Sequence, residues 1–255
     1  MLFRSFLFII TTNTYAYNKL NSKADGWCGS VAPSIEWENH FQKLILAQNK
    51  KQLTNGRTTE TSYTIPVIVH ICYWNSSQNI SEAQVQSQIE TLNNDFAGIG
   101  FNSNNIPLAF APLKADTKIT FCLAKLGSNN EILAEPGIER KHWNTISGAT
   151  DPALVTTAGA LTTLITNVIK PATIWSPNKY LNIWVTDVNP SASLLGFATF
   201  PPLSGLTGIS GAGTATTDGL WCWAKVFGSQ NIFSTGTYYV PYNYGRTVTH
   251  ELSHY

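Results

Sequence analysis

Charged side chains are scarce in this sequence. Asp, Glu, Lys and Arg together make up 12% of its 255 residues, against about 25% in a typical globular domain. The formal net charge is only +1, so the composition offers no basic surface that would attract nucleic acid or an anionic membrane. Much of the polarity comes instead from Asn, Thr and Ser, which favour strands, turns and helix caps. We therefore expect a globular protein with no nucleic-acid partner.

Long hydrophobic runs are also missing. No stretch beyond the N-terminus approaches the ~18 apolar residues that a membrane span needs, so we expect no membrane span. Residues 1–16 have the pattern of a signal peptide: Arg4 is followed by a short apolar core, and Thr14 and Ala16 are small residues at a possible cleavage site. A buried N-terminal strand is the alternative. The signal pattern predicts a secreted, extracellular protein.

Cysteine is sparse and widely spaced. The four cysteines are Cys28, Cys72, Cys122 and Cys222, and the absence of any C-x-x-C pair excludes a zinc ribbon or a thioredoxin motif. Export would permit disulfide bonds, which we therefore expect, although the spacing does not define their pairing. For Cys72 and Cys122, buried free thiols are an equal alternative.

The chain divides into three parts. Residues 1–16 are the predicted signal peptide. Residues 17–60 are polar and contain one amphipathic helical pattern, from Pro33 to about Leu53, which predicts a pro-segment and linker. An ordinary N-terminal arm is the alternative. Residues 61–255 are predicted to form the globular part.

Residues 61–255 show alternating strand and helix patterns. The first strand is a near-continuous apolar run, as expected for a strand that is covered on both faces. The predicted strands are 63–74, 118–124, 180–185, 194–201 and 219–227, and the predicted helices are 81–96, 151–169 and a last one from 245. This order predicts an α/β (α+β) fold with a twisted, five-stranded mixed sheet. The fourth strand contains Gly and ends at Pro, which suits a sheet edge.

The last residues carry the motif H-E-x-x-H. His250 and His254 are four positions apart, so on a helix their imidazoles lie on one face and can bind one Zn²⁺ ion. Such a site can acidify a bound water, and Glu251 is placed to accept its proton and pass it to a leaving amine. The motif therefore predicts a zinc metalloendopeptidase that uses a zinc-bound water and Glu251 as general base. A solvated helix with incidental histidines is the alternative.

A catalytic zinc site needs three protein ligands, and the sequence ends at Tyr255. The third ligand is therefore expected beyond Tyr255, as a histidine six residues after His254 or as a glutamate on a later helix. A third possibility is a non-catalytic exported binding module that keeps the fold without a complete metal site.

Several blocks of the globular part occur in the order found in one known family. The most extensive are IPVIVHICY (65–73), ISEAQVQSQIETLNNDF (80–96), YLNIWV (180–185), LLGFATFP (194–201) and GRTVTHELSHY (245–255). Together they resemble the pappalysin (ulilysin-like) family of metzincin zinc metalloproteases. The resemblance implies a metzincin N-terminal subdomain with a backing helix and an active-site helix. It also implies a third histidine ligand at position 260 and a C-terminal subdomain, so that this sequence would be truncated within the active-site helix and inactive alone. Ser253 stands where the family usually has Gly.

The resemblance also assigns roles to individual residues. His250 and His254 are similar to the first two zinc ligands, and Glu251 is similar to the general base. The segment with Gly196, Phe197, Ala198 and Thr199 resembles an edge strand that binds an extended protein or peptide substrate by β-augmentation.

Cys28 belongs to a Cys-Gly pair that similar family members carry ahead of the pro-segment helix. As a thiolate it would bind zinc in place of water and keep a zymogen latent. A half-cystine is the alternative for Cys28. Calcium is a possible second metal without support in the sequence, and the natural substrate, cleavage specificity and oligomeric state stay open.

Overall fold

The structure is a computed structural model that describes residues 27–31, 34–54, 62–151, 154–201 and 212–255. The predicted signal peptide, residues 1–16, lies outside these ranges. Within them, six strands form one sheet: β1 (Tyr63–Tyr73), β2 (Ile119–Leu123), β3 (Ile138–His142), β4 (Leu181–Thr186), β5 (Gly196–Ala198) and β6 (Leu220–Trp223). The described α-helices are α1 (Ile35–Thr54), α2 (Glu82–Phe96), α3 (Ala158–Leu164), α4 (Lys170–Thr173) and α5 (Arg246–His254).

The sheet is mixed, as predicted. Its strand order is β2-β1-β4-β6-β5, and every pair is parallel except β5 with β6. The apolar run of the first strand is the central β1, whose residues 67–72 are all buried. The short strand β5 lies antiparallel at the edge, where its Gly and the nearby Pro201 had suggested an edge position.

The predicted number of five strands is wrong, because β3 makes a sixth. It pairs with the second half of β1, from Val69 to Tyr73, whereas β2 pairs with the first half. The β3 sequence, IERKH, has only Ile138 buried. Its charged residues therefore hide it from a search for apolar strand patterns.

Helix α2 matches the predicted helix and connects the sheet to the last helix. Ser81 caps its N-terminus by accepting a hydrogen bond from the Gln84 N–H at 3.2 Å. The Gln84 side chain donates to the Phe227 carbonyl at 2.8 Å. The buried Gln88 donates to the Gly245 carbonyl at 3.0 Å. These amides connect α2 to the loop before α5.

The helix predicted over residues 151–169 begins later and ends later. It starts at Ala158, with the Thr157 side chain as cap, and passes through a π-helical turn (Ile165–Ile169) into α4. Pro171 does not end the helix but lies inside α4. The π-helical turn explains this, because it already interrupts the i to i−4 bonding that a proline cannot complete.

Candidate active site

Helix α5 is fixed at its start by contacts with α2. Gly245 precedes it with a φ of 72°, a left-handed conformation that glycine adopts without strain. The Asp95 carboxylate accepts a hydrogen bond from the Thr249 hydroxyl at 2.7 Å and pairs with the Arg246 Nε at 2.9 Å. Burial raises the pKa of Asp95, while Thr249 and Arg246 lower it. The residue just before His250 is thereby held directly by α2.

The two histidines of the motif lie together on α5. The Nε2 atoms of His250 and His254 are 3.2 Å apart, as the spacing of four predicts. Glu251 points away from solvent and is only 1% exposed. Burial raises the pKa of Glu251, whereas the hydroxyl of Ser30, the charge of His250 and the thiol of Cys28 lower it.

Strand β5 packs directly against the Glu251 side chain. A Cβ on Gly196 would lie 2.8 Å from the Glu251 Cγ, so this close approach requires glycine. Phe197 is buried and stacks on Trp221, with ring centroids 5.5 Å apart. Thr199 follows the strand and accepts a hydrogen bond from the Gly219 N–H at 3.0 Å. Gly196 and Ala198 thus border the motif, while Phe197 and Thr199 hold the strand in place.

The free edge of β5 is paired with residues 27–30. The Leu195 N–H donates to the Trp27 carbonyl at 2.9 Å, and the Gly29 N–H donates to the Gly196 carbonyl at 2.9 Å. The bridge between Cys28 and Gly196 is parallel. The predicted substrate-binding strand therefore does bind an extended segment, which is the start of the chain's own predicted pro-segment.

This pairing brings Cys28 to the H-E-x-x-H motif. The Cys28 Sγ lies 3.6 Å from the Glu251 Oε2 and 3.6 Å from the His254 Nε2. Ligand atoms of Cys28, His250, Glu251 and His254 all lie within 4.8 Å of one another. Every cysteine of the sequence falls in the described residues, and each is a free thiol, so the expected disulfide bonds are not found.

Two separations within the cluster match those between ligands of one tetrahedral zinc ion. Zn–N bonds of about 2.0–2.1 Å and a Zn–S bond of about 2.3 Å in a tetrahedron place two nitrogens about 3.3 Å apart and a nitrogen about 3.6 Å from sulfur. The observed separations are 3.2 Å between His250 and His254 and 3.6 Å between His254 and Cys28. The two imidazoles and the thiolate could therefore hold one zinc ion and leave a fourth position for another ligand.

A cleft opens beside the cluster. Its volume is ≈ 340 Å³, and its lining includes Trp27, Leu195, Tyr242, His250 and Glu251. The rings of Trp27 and Tyr242 are 5.6 Å apart within it. A substrate-sized space is thus adjacent to the metal-ligating side chains.

Ser30 is a site residue that the sequence prediction missed. Its hydroxyl donates to the Glu251 Oε2 at 2.8 Å and accepts from the Ala198 N–H at 2.8 Å. One signal was available, because side chains at positions i and i+2 of an extended segment share a face. If Cys28 faces the motif from such a segment, Ser30 faces it too.

The comparisons with known proteins agree with this geometry. No family model and no curated protein matches the chain. Among solved structures, it matches mature mirolysin from Tannerella forsythia in complex with a cleaved peptide, with 33% identity, a TM-score of 0.59 and coverage of 77% of this chain and 63% of that one. It also matches a promirolysin mutant of the same organism, with 30% identity, a TM-score of 0.62 and coverage of 89% and 67%. The chain belongs to the mirolysin family of metzincin-type proteases.

Membership of the mirolysin family confirms the resemblance to pappalysin-like metzincins and the fold class. A third match, mirolysin in complex with compound 9, has 34% identity, a TM-score of 0.59 and coverage of 77% of this chain and 63% of that one. The chain spans 63–67% of the lengths of these three solved proteins. Promirolysin covers a larger share of this chain than mature mirolysin does, which supports a zymogen form. In the described part of the chain, no helix combines the length and apolarity that crossing a membrane requires.

Proposed function

We propose that this protein is an exported zinc metalloendopeptidase that is made as a latent zymogen. The observation that carries the proposal is the gathering of Cys28, His250, Glu251 and His254, whose ligand atoms lie within 4.8 Å of one another. Residue 28 is 222 or more positions away in sequence from the others, so only the fold brings these groups together. The family membership supports a protease, and the tetrahedral separations support zinc.

The chain's own residues account for both binding and proton transfer. When bound, zinc supplies Lewis-acid chemistry: it makes water reactive near neutral pH and polarises the scissile carbonyl. His250 and His254 would hold the ion. Glu251 takes a proton from the attacking water and delivers it to the departing amine. Its burial against Gly196 fixes the carboxylate in one position.

The substrate is an extended peptide that binds along β5. The backbone of β5 and Leu195 forms three hydrogen bonds with residues 27–30. The Leu195 N–H donates to the Trp27 carbonyl, the Gly196 carbonyl accepts from the Gly29 N–H, and the Ala198 N–H donates to the Ser30 hydroxyl. Once the pro-segment is removed, the same groups are free to pair with a substrate strand. Main-chain pairing allows peptides of different sequence to bind, and side-chain pockets add selectivity.

Latency comes from Cys28. Its Sγ is 3.6 Å from the His254 Nε2, which matches a thiolate and an imidazole that share one zinc ion. A thiolate in this position excludes water from the metal. Removal of the pro-segment opens the position and starts activity.

The decisive experiment replaces Glu251 in the full-length protein and measures hydrolysis after an added protease has cut the pro-segment away. Glu251→Gln should lower kcat/KM for a fluorogenic peptide by about 10²–10⁴-fold, the usual contribution of general acid–base catalysis, while bound zinc, measured by atomic absorption, stays at one per chain. Glu90→Gln, at an exposed position of α2, is the matched control and should change neither. Unchanged hydrolysis by Glu251→Gln would refute the assigned role and favour a non-catalytic binding module.

A second pair of variants tests the metal and the latency. His254→Ala should lose both zinc and activity. Cys28→Ala should give hydrolysis before the pro-segment is cut. A Cys28→Ala zymogen that is as inactive as the wild type would contradict the proposed latency while leaving the protease assignment intact.

A further inference from the structure

Ser30 connects the general base of the proposed mechanism to the edge strand. Its hydroxyl donates to the Glu251 Oε2 at 2.8 Å and accepts from the Ala198 N–H at 2.8 Å. A serine hydroxyl has one proton to donate and two lone pairs, so both bonds form at once. Because Glu251 is 1% exposed, water competes little for this carboxylate oxygen.

The backbone around Ser30 sets this contact. Residues 27–30 lie extended along β5, held by the bonds from Leu195 N–H to Trp27 O and from Gly29 N–H to Gly196 O, each of 2.9 Å. Positions 28 and 30 therefore share the face that looks at the H-E-x-x-H helix. One side chain reaches the histidines and the other reaches the glutamate.

Gly29 allows the two contacts to coexist. Its missing side chain faces β5, where a Cβ would come within 3.1 Å of both the Leu194 Cδ1 and the Phe197 Cβ. A larger residue would therefore push the segment off the strand edge. In the tripeptide Cys28-Gly29-Ser30, the glycine therefore lets the backbone approach β5 closely, and the residues on either side present a thiol and a hydroxyl to the motif.

We propose that Ser30 is a second inhibitory contact of the zymogen, which acts on the general base while Cys28 acts on the metal. The proposal rests on the proposed function, since it takes Glu251 as the base. The Ser30 hydroxyl occupies the carboxylate oxygen that would receive the proton of water. It also occupies the Ala198 N–H that a substrate strand would use. Latency therefore does not depend on the thiolate alone.

The expected effect follows from the kind of bond. A hydrogen bond to a charged group stabilises a complex by a factor of about ten to one hundred. The contribution of Ser30 to latency can be measured in a Cys28→Ala variant, because the thiolate then no longer blocks the metal site. In a Cys28→Ala background, Ser30→Ala should raise the hydrolysis rate of the uncleaved zymogen by about ten- to one-hundredfold.

Four full-length zymogens make the comparison: Cys28→Ala alone, and Cys28→Ala combined with Ser30→Ala, Ser30→Thr or Ser128→Ala. Initial rates of peptide hydrolysis are measured while gel electrophoresis shows the chain still intact. Ser30→Thr keeps the hydroxyl and should stay close to Cys28→Ala alone. Ser128→Ala changes an exposed serine after β2 and should have no effect. Equal rates for Cys28→Ala with and without Ser30→Ala would overturn the proposal.

A binding measurement separates this proposal from the proposed function. After cleavage in the linker, the rate at which the pro-segment leaves the rest of the protein can be followed without any catalysis. Ser30→Ala should speed this release by about ten- to one-hundredfold, and an unchanged rate would overturn the contact. If the wild-type protein freed of its pro-segment hydrolyses no peptide, the proposed function fails, whereas the release rate still decides whether Ser30 holds Glu251.

Discussion

Replacing Lys170 by methionine should remove a pH dependence of stability that the fold builds in. Lys170 lies in α4 and is 0% exposed. Its ammonium group donates to the carbonyls of Thr217 and Gly219 at 3.0 and 2.9 Å. It also lies 4.9 Å from the ring centroid of Trp184 and 5.0 Å from that of Phe197. The charge is thus held beneath the edge strand, out of contact with water.

The direction of the effect follows from the pKa of Lys170. Burial lowers this pKa from 10.5 to about 7, and the nearby charge of Asp218 only partly opposes the shift. Between the folded and unfolded pKa values the unfolded chain binds more protons, so the free energy of unfolding rises with pH in this window. With about 1.4 kcal/mol per pKa unit, the increase from pH 7 to pH 9 is about 2 kcal/mol.

Urea denaturation at pH 7, 8 and 9 measures this increase. From pH 7 to pH 9 the free energy of unfolding of the wild type should rise by about 2 kcal/mol relative to that of Lys170→Met. Thiol and phenol titrations are common to both proteins and cancel in the difference. Lys125→Met, at an exposed position, should show no such change. A Lys170→Met difference that is constant with pH would refute a buried lysine that loses its proton in this range.

Two further predictions concern the site and the sheet. Gly196→Ala places a methyl group 2.8 Å from the Glu251 Cγ, so we expect at least about a tenfold loss of kcat/KM with an unchanged circular dichroism spectrum. The control is Gly159→Ala, whose added methyl group has no other atom within 4 Å and which should retain full activity. For the sheet, burial acts to raise the pKa of Glu139, but the 2.7 Å hydrogen bond and charge of His70 together with the pairing to Lys141 outweigh burial and hold the pKa below the usual range. Because the folded pKa of Glu139 is depressed, the stability that it contributes is present above about pH 4.5 and is lost as the pH falls. The urea midpoint should therefore drop less between pH 6 and pH 4 in His70→Gln than in the wild type. An equal drop in both proteins would contradict the pairing.

Local sequence patterns were enough to predict the common face of the two histidines, one helix and one sheet edge. The spacing of His250 and His254 fixes their common face on any helix, whatever surrounds it. The helix pattern of residues 81–96 predicted α2, which the structure has as Glu82–Phe96. The glycine in the fourth predicted strand indicated an edge, and β5 is that edge. Each of these signals acts over a few residues, so the sequence displays it directly.

The features that the sequence did not reveal depend on distant partners. Strand β3 is polar, and its hydrogen bonds come from the far half of β1, about 70 positions earlier. The start of α3 at Ala158 rather than at residue 151 depends on a cap by Thr157 in a run of residues with weak helix propensity. Lys170 reads as a surface residue by type, and only the fold shows its burial between two aromatic rings.

In the proposed zymogen, the same groups of β5 would serve latency and substrate binding, so the pro-segment would have to be removed for activity. The Leu195 N–H, the Gly196 carbonyl and the Ala198 N–H are all engaged by residues 27–30. A peptide substrate must displace residues 27–30 to pair with this edge, because each N–H donates to one acceptor at a time in this geometry. The parallel pairing adds a consequence. It places the Cys28 thiol 3.6 Å from the His254 Nε2 and the Ser30 hydroxyl 2.8 Å from the Glu251 Oε2, so each side chain of the H-E-x-x-H motif that is contacted has its own partner in the pro-segment.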